Sequence, residues 1–356
     1  MSKFLSKEAG VLEPYVPGEQ PKGGGFIKLN TNESPFPPAP GVIAALKGAK
    51  IEDMRLYSDP ECGELRQAAA EFYGLCKENI IAGNGSDEVL AFAFRAFCGE
   101  GTGVAFADIT YGFYKVWAAL WGVETKIVPL REDFSLSVDD YMDFPGVVLM
   151  ANPNAPTSLA NPVSEIRRLL ESNTERLVIV DEAYGDFWGQ SCVPLIKEFD
   201  NLLVVQTLSK SRSLAGGRIG LGIGSPELIA DMNRVKYSYN PYNLNRLSAL
   251  AGAAAMADRA YLEECVEKIR LARDYAAEEL RKLGFKVPKS ETNFIFAASE
   301  RISGVKFAAE LRRRGILVRN FGTPERIADY CRISVGTMED MEALVRAAAE
   351  ILEARA

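Results

Sequence analysis

Three stretches of this sequence follow short apolar runs with residues able to bind an anion, hold a proton or form a covalent bond. In AGNGSDEVLAFAFRAF (82–97) glycines lead into helical text that begins around Asp87. Gly83 and Gly85 permit a tight turn, Ser86 suits a helix N-cap, and free amides at a helix start favour an anion. A plain strand-to-helix turn reads the same way, because this is neither a Walker loop nor a GxGxxG. In LVIVDEAY (177–184) an apolar run ends in Asp181, Glu182 and Tyr184. A half-buried Asp181 needs a cationic partner; metal binding with Glu182 and a structural ion pair are both open readings. In VVQTLSKSRSLAGGRIG (204–220) one loop carries Ser209, Lys210, Ser211 and Arg218. Hydroxyls and a guanidinium suit a phosphate, and a sheltered lysine amine can form an imine. Taken alone, this loop also reads as a solvated one.

The order of the three is more specific than any one of them. An anion cradle, a strand-end Asp-x-x-Tyr and a Ser-Lys loop ending in Arg are the equipment of a pyridoxal 5'-phosphate site: Asp for the pyridine nitrogen, Lys for the covalent link, and phosphate contacts to anchor the cofactor. Such residues must be held at strand ends, and the text supplies strands. Short β-rich runs occur at 79–83, 103–108, 124–130, 146–153, 176–184, 201–209 and 218–225. Several are apolar nearly throughout, as strands covered on both faces should be. Helical text such as ELRQAAAEFYG separates most of them, which predicts a doubly wound α/β sheet with its ligand beyond the strands' carboxyl ends. The last three runs are close in sequence, so one of these strands can be antiparallel.

From about residue 245 the text becomes α+β. A long helical stretch (245–284) precedes strand-like FKVP and TNFIFAA, helix GVKFAAELRRRG, strands ILVRNF and DYCRISVG, and an amphipathic final helix. At the other end, residues 1–40 are too rich in Pro and Gly for one regular element, yet Tyr15, Phe26, Ile27 and Leu29 give them apolar anchors. The expected organisation is an arm (1–40) packing with the small domain and the site, a large cofactor-binding domain (41–245) and a small domain (246–356).

Composition narrows the chemistry. With 356 residues the chain is long for one compact core. A net charge of -7 argues against a nucleic-acid binder relying on bulk charge. The start, MSKFLSKEAG, lacks the apolar segment of a signal peptide, and no apolar run is long enough for a membrane span. Six scattered cysteines without a CxxC pair suggest reduced thiols in a cytoplasmic protein. Histidine is absent, which removes imidazole bases and the common His-containing zinc sites, so no metal is expected.

The chain resembles the fold-type I, class II pyridoxal-phosphate-dependent aminotransferases, in the histidinol-phosphate aminotransferase branch. The resemblance spans nearly the whole chain. It is carried by PYVPG (14–18), LNTNESPFPP (29–38), RLYSDPECGELR (55–66), GNGSDE (83–88), TYGFY (110–114), NPNAPT (152–157), DEAY (181–184), TLSKSRSLAGGRIG (207–220), ETNFI (291–295), ILVRNF (316–321) and CRISVG (331–336). It implies a large domain with a mostly parallel seven-stranded sheet and a smaller α+β domain. It implies that Lys210 forms the Schiff base and then moves the proton, that Asp181 partners the ring nitrogen, and that Tyr184 donates to the ring hydroxyl oxygen. Tyr111 would stack on the ring, and Gly85, Ser86, Asp87 (through its backbone), Ser209 and Arg218 would form the phosphate region. Tyr57 would reach the phosphate of a partner subunit in a homodimer with shared sites. Arg332 would grip the substrate's anionic end, with Tyr15, Asn32 and Arg319 lining the substrate side.

One departure stands out. The family commonly reads NNPTG where this chain reads NAPTS, so Ala155 replaces an asparagine that normally bonds the ring hydroxyl oxygen. Asn154, one residue earlier, is the candidate substitute. The expected reaction exchanges an amino group between L-histidinol phosphate with 2-oxoglutarate and imidazole-acetol phosphate with L-glutamate. Aromatic aminotransferases and threonine-phosphate decarboxylases are the alternatives within the fold. A non-catalytic cofactor-binding regulator is a remote one, since only about forty residues precede the α/β text.

Overall fold

Apolar β-branched text buried on both faces needs cover on both faces, and the chain supplies it with helices. The computed structural model describes residues 2–354 apart from Val11, Pro14 and residues 22–24. Pro14 of the PYVPG motif and that part of the arm's glycine run therefore lie outside the described residues. The strands are β1 (Ile27–Leu29), β2 (Ile80–Asn84), β3 (Val104–Ala107), β4 (Thr125–Val128), β5 (Val147–Ala151), β6 (Val178–Asp181), β7 (Leu202–Thr207), β8 (Ile219–Ile223), β9 (Phe294–Ala297), β10 (Ile316–Asn320) and β11 (Cys331–Ser334).

Seven of them form one sheet in the order β2-β8-β7-β6-β5-β3-β4. All seven expected strands are there, and β8 is the antiparallel one, lying between β2 and β7. This reversal has a use. The carboxyl ends of β2, β3, β5, β6 and β7 share one edge, and because β8 runs the other way its preceding residue, Arg218, returns to that edge. The strand interiors are sealed: every residue of β3, β6, β7 and β8 is buried. Close approach at the edge requires glycine at 220, where a Cβ would lie 2.3 Å from the Gly85 carbonyl carbon.

A second sheet has the order β1-β10-β11-β9, with β1 parallel to β10 and the other pairs antiparallel. The arm thus contributes the strand β1 and, earlier in the chain, a single helical turn, Lys7–Gly10. Three further expectations need correction. FKVP forms no strand, only a bridge between Lys286 and Ala298. The helical stretch after 245 is two helices, Arg246–Ala257 and Arg259–Lys282, parted at Asp258, whose side chain accepts from Tyr261 N–H. Ser86 is not the N-cap of its helix: Gly85, at φ +82°, takes the non-helical position, and Ser86 is the first residue of Ser86–Phe97. A left-handed φ costs a residue with a side chain and costs glycine little.

The helix Arg246–Ala257 packs its Ala251, Ala255 and Met256 into the core of the seven-stranded sheet, beside Leu65 and Ile219. The helix Arg259–Lys282 instead joins the core around the second sheet. That second core also takes in Ala155, Tyr184 and Phe187 from the strand ends of the first, so the two layers meet at the edge where the candidate residues lie. Among the described residues no helix is long and apolar enough to cross a membrane.

Candidate active site

The strand ends, the arm and the second sheet enclose a cavity of about 360 Å³. Lys210 enters it from the loop after β7, with its amine donating to the Thr31 carbonyl at 3.2 Å. Burial, and then the charge of Arg332, lower its pKa to about 8, against the opposing pull of Glu33 and Asp87. A sizeable neutral fraction of this amine is therefore present near neutral pH.

Asp181, the last residue of β6, is buried. Its Oδ2 accepts from the Tyr114 hydroxyl at 2.7 Å and its Oδ1 from Ala183 N–H at 3.1 Å. Among the described residues no lysine or arginine pairs with it, and burial pushes its pKa up to about 6. A carboxylate in this state is an acceptor awaiting a cation. Glu182 faces the other way and accepts from Ser191, Cys192 N–H and Gln206. The two carboxylates do not converge, so the metal reading loses its ligand pair. Among the described residues no group of three or more potential ligands could hold a metal ion.

Beyond β2, the helix Ser86–Phe97 starts with amide N–H groups that geometry leaves without partners inside the helix. Arg218, itself at φ +51°, lies against Gly85 so closely that a Cβ there would meet its Nη2 at 2.5 Å. Arg218 pairs with Asp87 at 3.2 Å, and Asp87 also accepts from the Tyr111 hydroxyl at 2.8 Å. With its carboxylate so engaged, Asp87 can offer an anion its N–H alone. Ser209 lines the same region, its Oγ accepting from Thr207 at 3.0 Å. Two serines, helix-start amides and a guanidinium are a donor set for a phosphate.

Tyr111 lies edge-on to Tyr114 with ring centroids 5.6 Å apart, and Tyr15 from the arm meets it edge-on at 6.1 Å. The Tyr184 hydroxyl accepts from Asn32 Nδ2 at 2.9 Å. Arg319 and Arg332 are cross-strand partners on β10 and β11 and both line the cavity. Neither has a carboxylate partner among the described residues. Arg319 reaches the carbonyls of Val16 and Pro17, Arg332 reaches that of Asn30, and the buried Nε of Arg332 has no partner there. The salt bridge that would make Arg332 merely structural is therefore missing.

Three of the candidates do not line the cavity: Gly85, which sits just behind Ser86 at its wall, and Asn154 and Tyr57, which lie away from it. Asn154 is buried beneath it: its Nδ2 donates to Ile109 O and Thr157 Oγ1, and its Oδ1 accepts from Thr110. A shift of one residue at a strand end turns the side chain to the opposite face, so Asn154 braces the loop and cannot stand in for the residue that Ala155 replaces. Tyr57 is 79 % exposed and stacks on Tyr242 with centroids 4.5 Å apart, outside the cavity of its own chain. Sequence reasoning missed Tyr114 as the partner of Asp181, although it stands in the TYGFY motif; nothing in its spacing tells that it faces β6 rather than solvent.

The donor set, the uncompensated Asp181 and the low-pKa lysine fit a phosphorylated, cationic, carbonyl-bearing cofactor. Comparison with known proteins points the same way. The model of the family "Aminotransferase class I and II" matches residues 25–347. A histidinol-phosphate aminotransferase of Clostridium acetobutylicum is 50% identical over 341 residues, covering 96% of this chain and 97% of that protein. Another, from a Marinomonas species, is 47% identical over 98% of this chain and 99% of its own length. Among solved structures, the histidinol-phosphate aminotransferase of Sinorhizobium meliloti in complex with pyridoxal-5'-phosphate superposes with a TM-score of 0.86 at 24% identity, covering 100% of this chain and 99% of that one. An L-threonine-O-3-phosphate decarboxylase from Porphyromonas gingivalis shares the fold with a TM-score of 0.80 at 21% identity, covering 92% of this chain and 100% of its own.

Proposed function

The chain belongs to the class I and II aminotransferases, and from that membership we propose that it transfers an amino group from L-histidinol phosphate to 2-oxoglutarate, giving imidazole-acetol phosphate and L-glutamate, in a pyridoxal 5'-phosphate site built on Lys210. The observation that carries the substrate class is the pair of cross-strand arginines, Arg319 and Arg332, which face the cavity without a carboxylate partner among the described residues. Two guanidiniums side by side repel each other unless an anion joins them, and a phosphate or a carboxylate does so with forked hydrogen bonds.

In this reading Lys210 would hold the cofactor covalently, Asp181 its ring nitrogen, Tyr184 its ring oxygen, and Gly85, Ser86, Asp87, Ser209 and Arg218 its phosphate, with Tyr111 against the ring face. When bound, the cofactor supplies an electron-accepting ring that stabilises negative charge at the substrate's Cα. Asp181 keeps a proton on the ring nitrogen, because a charged partner relieves a carboxylate that burial alone disfavours. The Lys210 amine would take the proton from the substrate's Cα and deliver it to the cofactor's C4' carbon; with no histidine in the chain, it is the base best placed to do so. Arg332 and Arg319 bind the substrate's anionic end, and Tyr15 of the arm shields the cavity from water.

We further propose a cytoplasmic homodimer in which Tyr57 completes the partner's phosphate site; its exposure and its stack on Tyr242 support this. An arm of residues 1–40 would precede two domains. Their boundary is better drawn at Asp258 than at 245, since the helix Arg246–Ala257 packs in the core of the large sheet.

The test is a half-reaction screen. Cofactor-loaded protein is mixed with L-histidinol phosphate, L-histidinol, L-phenylalanine and O-phospho-L-threonine, and both loss of the bound-cofactor absorbance and release of carbon dioxide are followed. Histidinol phosphate should react at the highest efficiency without carbon dioxide. Carbon dioxide from phosphothreonine, or a preference for phenylalanine, would replace the substrate assignment.

A further inference from the structure

The side of the cavity formed by the NAPTS segment offers no hydrogen-bond donor from its side chains: Ala155 presents a methyl group and Asn154 is turned away. Tyr184 stands close by with one hydroxyl proton, and where that proton goes can be worked out from its neighbours. The backbone N–H of Asn32 donates to Ser334 Oγ at 2.7 Å. Ser334 Oγ, having accepted there, gives its own proton to Asn32 Oδ1 at 2.9 Å. With Oδ1 engaged by Ser334, Nδ2 is the end of the Asn32 amide that faces Tyr184, donating to its hydroxyl at 2.9 Å. The residue itself is held in place, since Asn32 is buried and its backbone carbonyl accepts from Asn293 Nδ2 at 3.0 Å. Among the described residues the Tyr184 hydroxyl has no other hydrogen-bond partner. Because it accepts from Asn32, its own proton is left to point into the cavity.

We propose that Asn32 is a positioning residue: its amide aims the Tyr184 proton at the cofactor's ring oxygen, making one tyrosine serve on a side of the cavity where the strand end supplies no donor. The inference rests on the cofactor reading above. It joins two distant parts of the chain in a single task, since the arm sets the direction of a donor that belongs to the large sheet's edge. The arm's contact with the site would therefore govern how tightly the cofactor is held, besides any role in covering substrate.

Asn32→Gly is the cleanest perturbation, because glycine tolerates the positive φ of this position, +56°, and keeps both backbone contacts, to Ser334 and from Asn293, while removing the amide. The readouts are the dissociation constant of pyridoxal 5'-phosphate from stripped protein and the pH midpoint of the bound cofactor's absorbance. Loss of one neutral hydrogen bond's guidance should raise the dissociation constant roughly three- to tenfold. A ring oxygen with a poorly aimed donor is more basic and favours the protonated bound form, so the midpoint should move up by about half a unit. Both effects should disappear in a Tyr184→Phe background, where there is no proton to aim. Ser334→Ala, which frees the other end of the amide, should give smaller shifts of the same sign, and a urea titration of each stripped protein checks that the fold is intact. Wild-type values in Asn32→Gly, or effects of undiminished size in the Tyr184→Phe background, would overturn the proposal. If wild-type protein itself took up no cofactor, the cofactor reading would fail first and this inference with it.

Discussion

Replacing Asp181 with asparagine should stabilise the cofactor-free protein while destroying its activity. Burial raises the Asp181 pKa from 3.8 to about 6 in the fold. Between those values the folded chain holds a proton that the unfolded chain has released, so this group's contribution to stability falls as pH rises through the window, and its full cost is present above it. A shift of about two units corresponds to about 3 kcal/mol. Asparagine removes the charge and keeps the shape. Its Oδ1 can still accept from Ala183 N–H, and the Tyr114 hydroxyl can turn to accept from Nδ2, so little hydrogen bonding is lost. A net gain of about 2 kcal/mol at pH 8 is expected, and about half of that at pH 5, where the wild-type carboxyl is largely protonated. The assay is urea unfolding of stripped wild-type and Asp181→Asn protein at one protein concentration and at both pH values. A variant no more stable than wild type at pH 8, or a gain independent of pH, would show that Asp181 is not a strained carboxylate awaiting a cation.

Three other outcomes are expected. The rate at which stripped protein captures pyridoxal 5'-phosphate should rise with pH and level off above about 8, because only the neutral Lys210 amine attacks; stopped-flow absorbance reads this, and a rate still rising at pH 10 would contradict it. Arg332→Lys keeps the charge and loses the fork, so kcat/KM for both histidinol phosphate and glutamate should fall on the order of tenfold to a hundredfold with the bound-cofactor spectrum unchanged; a change in thermal stability alone would make Arg332 structural. Tyr57→Phe should weaken cofactor retention, and mixing it with Lys210→Ala chains should restore about a quarter of the sites in a random dimer population; an active monomer at assay concentration would rule this out.

The strands that carry the site were legible because a strand buried on both faces reads as an unbroken apolar run; VIVD stops at Asp181 itself, and LLVVQT stops at Thr207, just before Ser209 and Lys210. Lys210, Asp181 and Arg218 could be picked out for the same reason: they are polar residues at the margins of apolar text, Arg218 just before β8 and the other two where β6 and β7 end. What failed was local direction. A single residue of register separates Ala155, which lines the cavity, from Asn154, which does not, and no sequence period resolves that at a strand end. Ser86 looked like a cap because serine often is one, but the left-handed turn at Gly85 moved the helix start by one residue. Contacts between distant segments, such as Tyr114 with Asp181 and Asn32 with Tyr184, leave no trace in local spacing. That no carboxylate among the described residues pairs with Arg332 was equally invisible, since it is a property of the fold and not of the CRISVG text.

The most direct test of the central claim is to find which residue holds the cofactor. Purified protein loaded with pyridoxal 5'-phosphate is reduced with borohydride, digested and mapped by mass spectrometry. The pyridoxyl group should be found on Lys210, in near-stoichiometric yield, and its absorbance should be missing from Lys210→Ala protein that still unfolds cooperatively. Attachment to another cavity lysine, Lys115, or label spread over surface lysines with Lys210 unmodified, would contradict it.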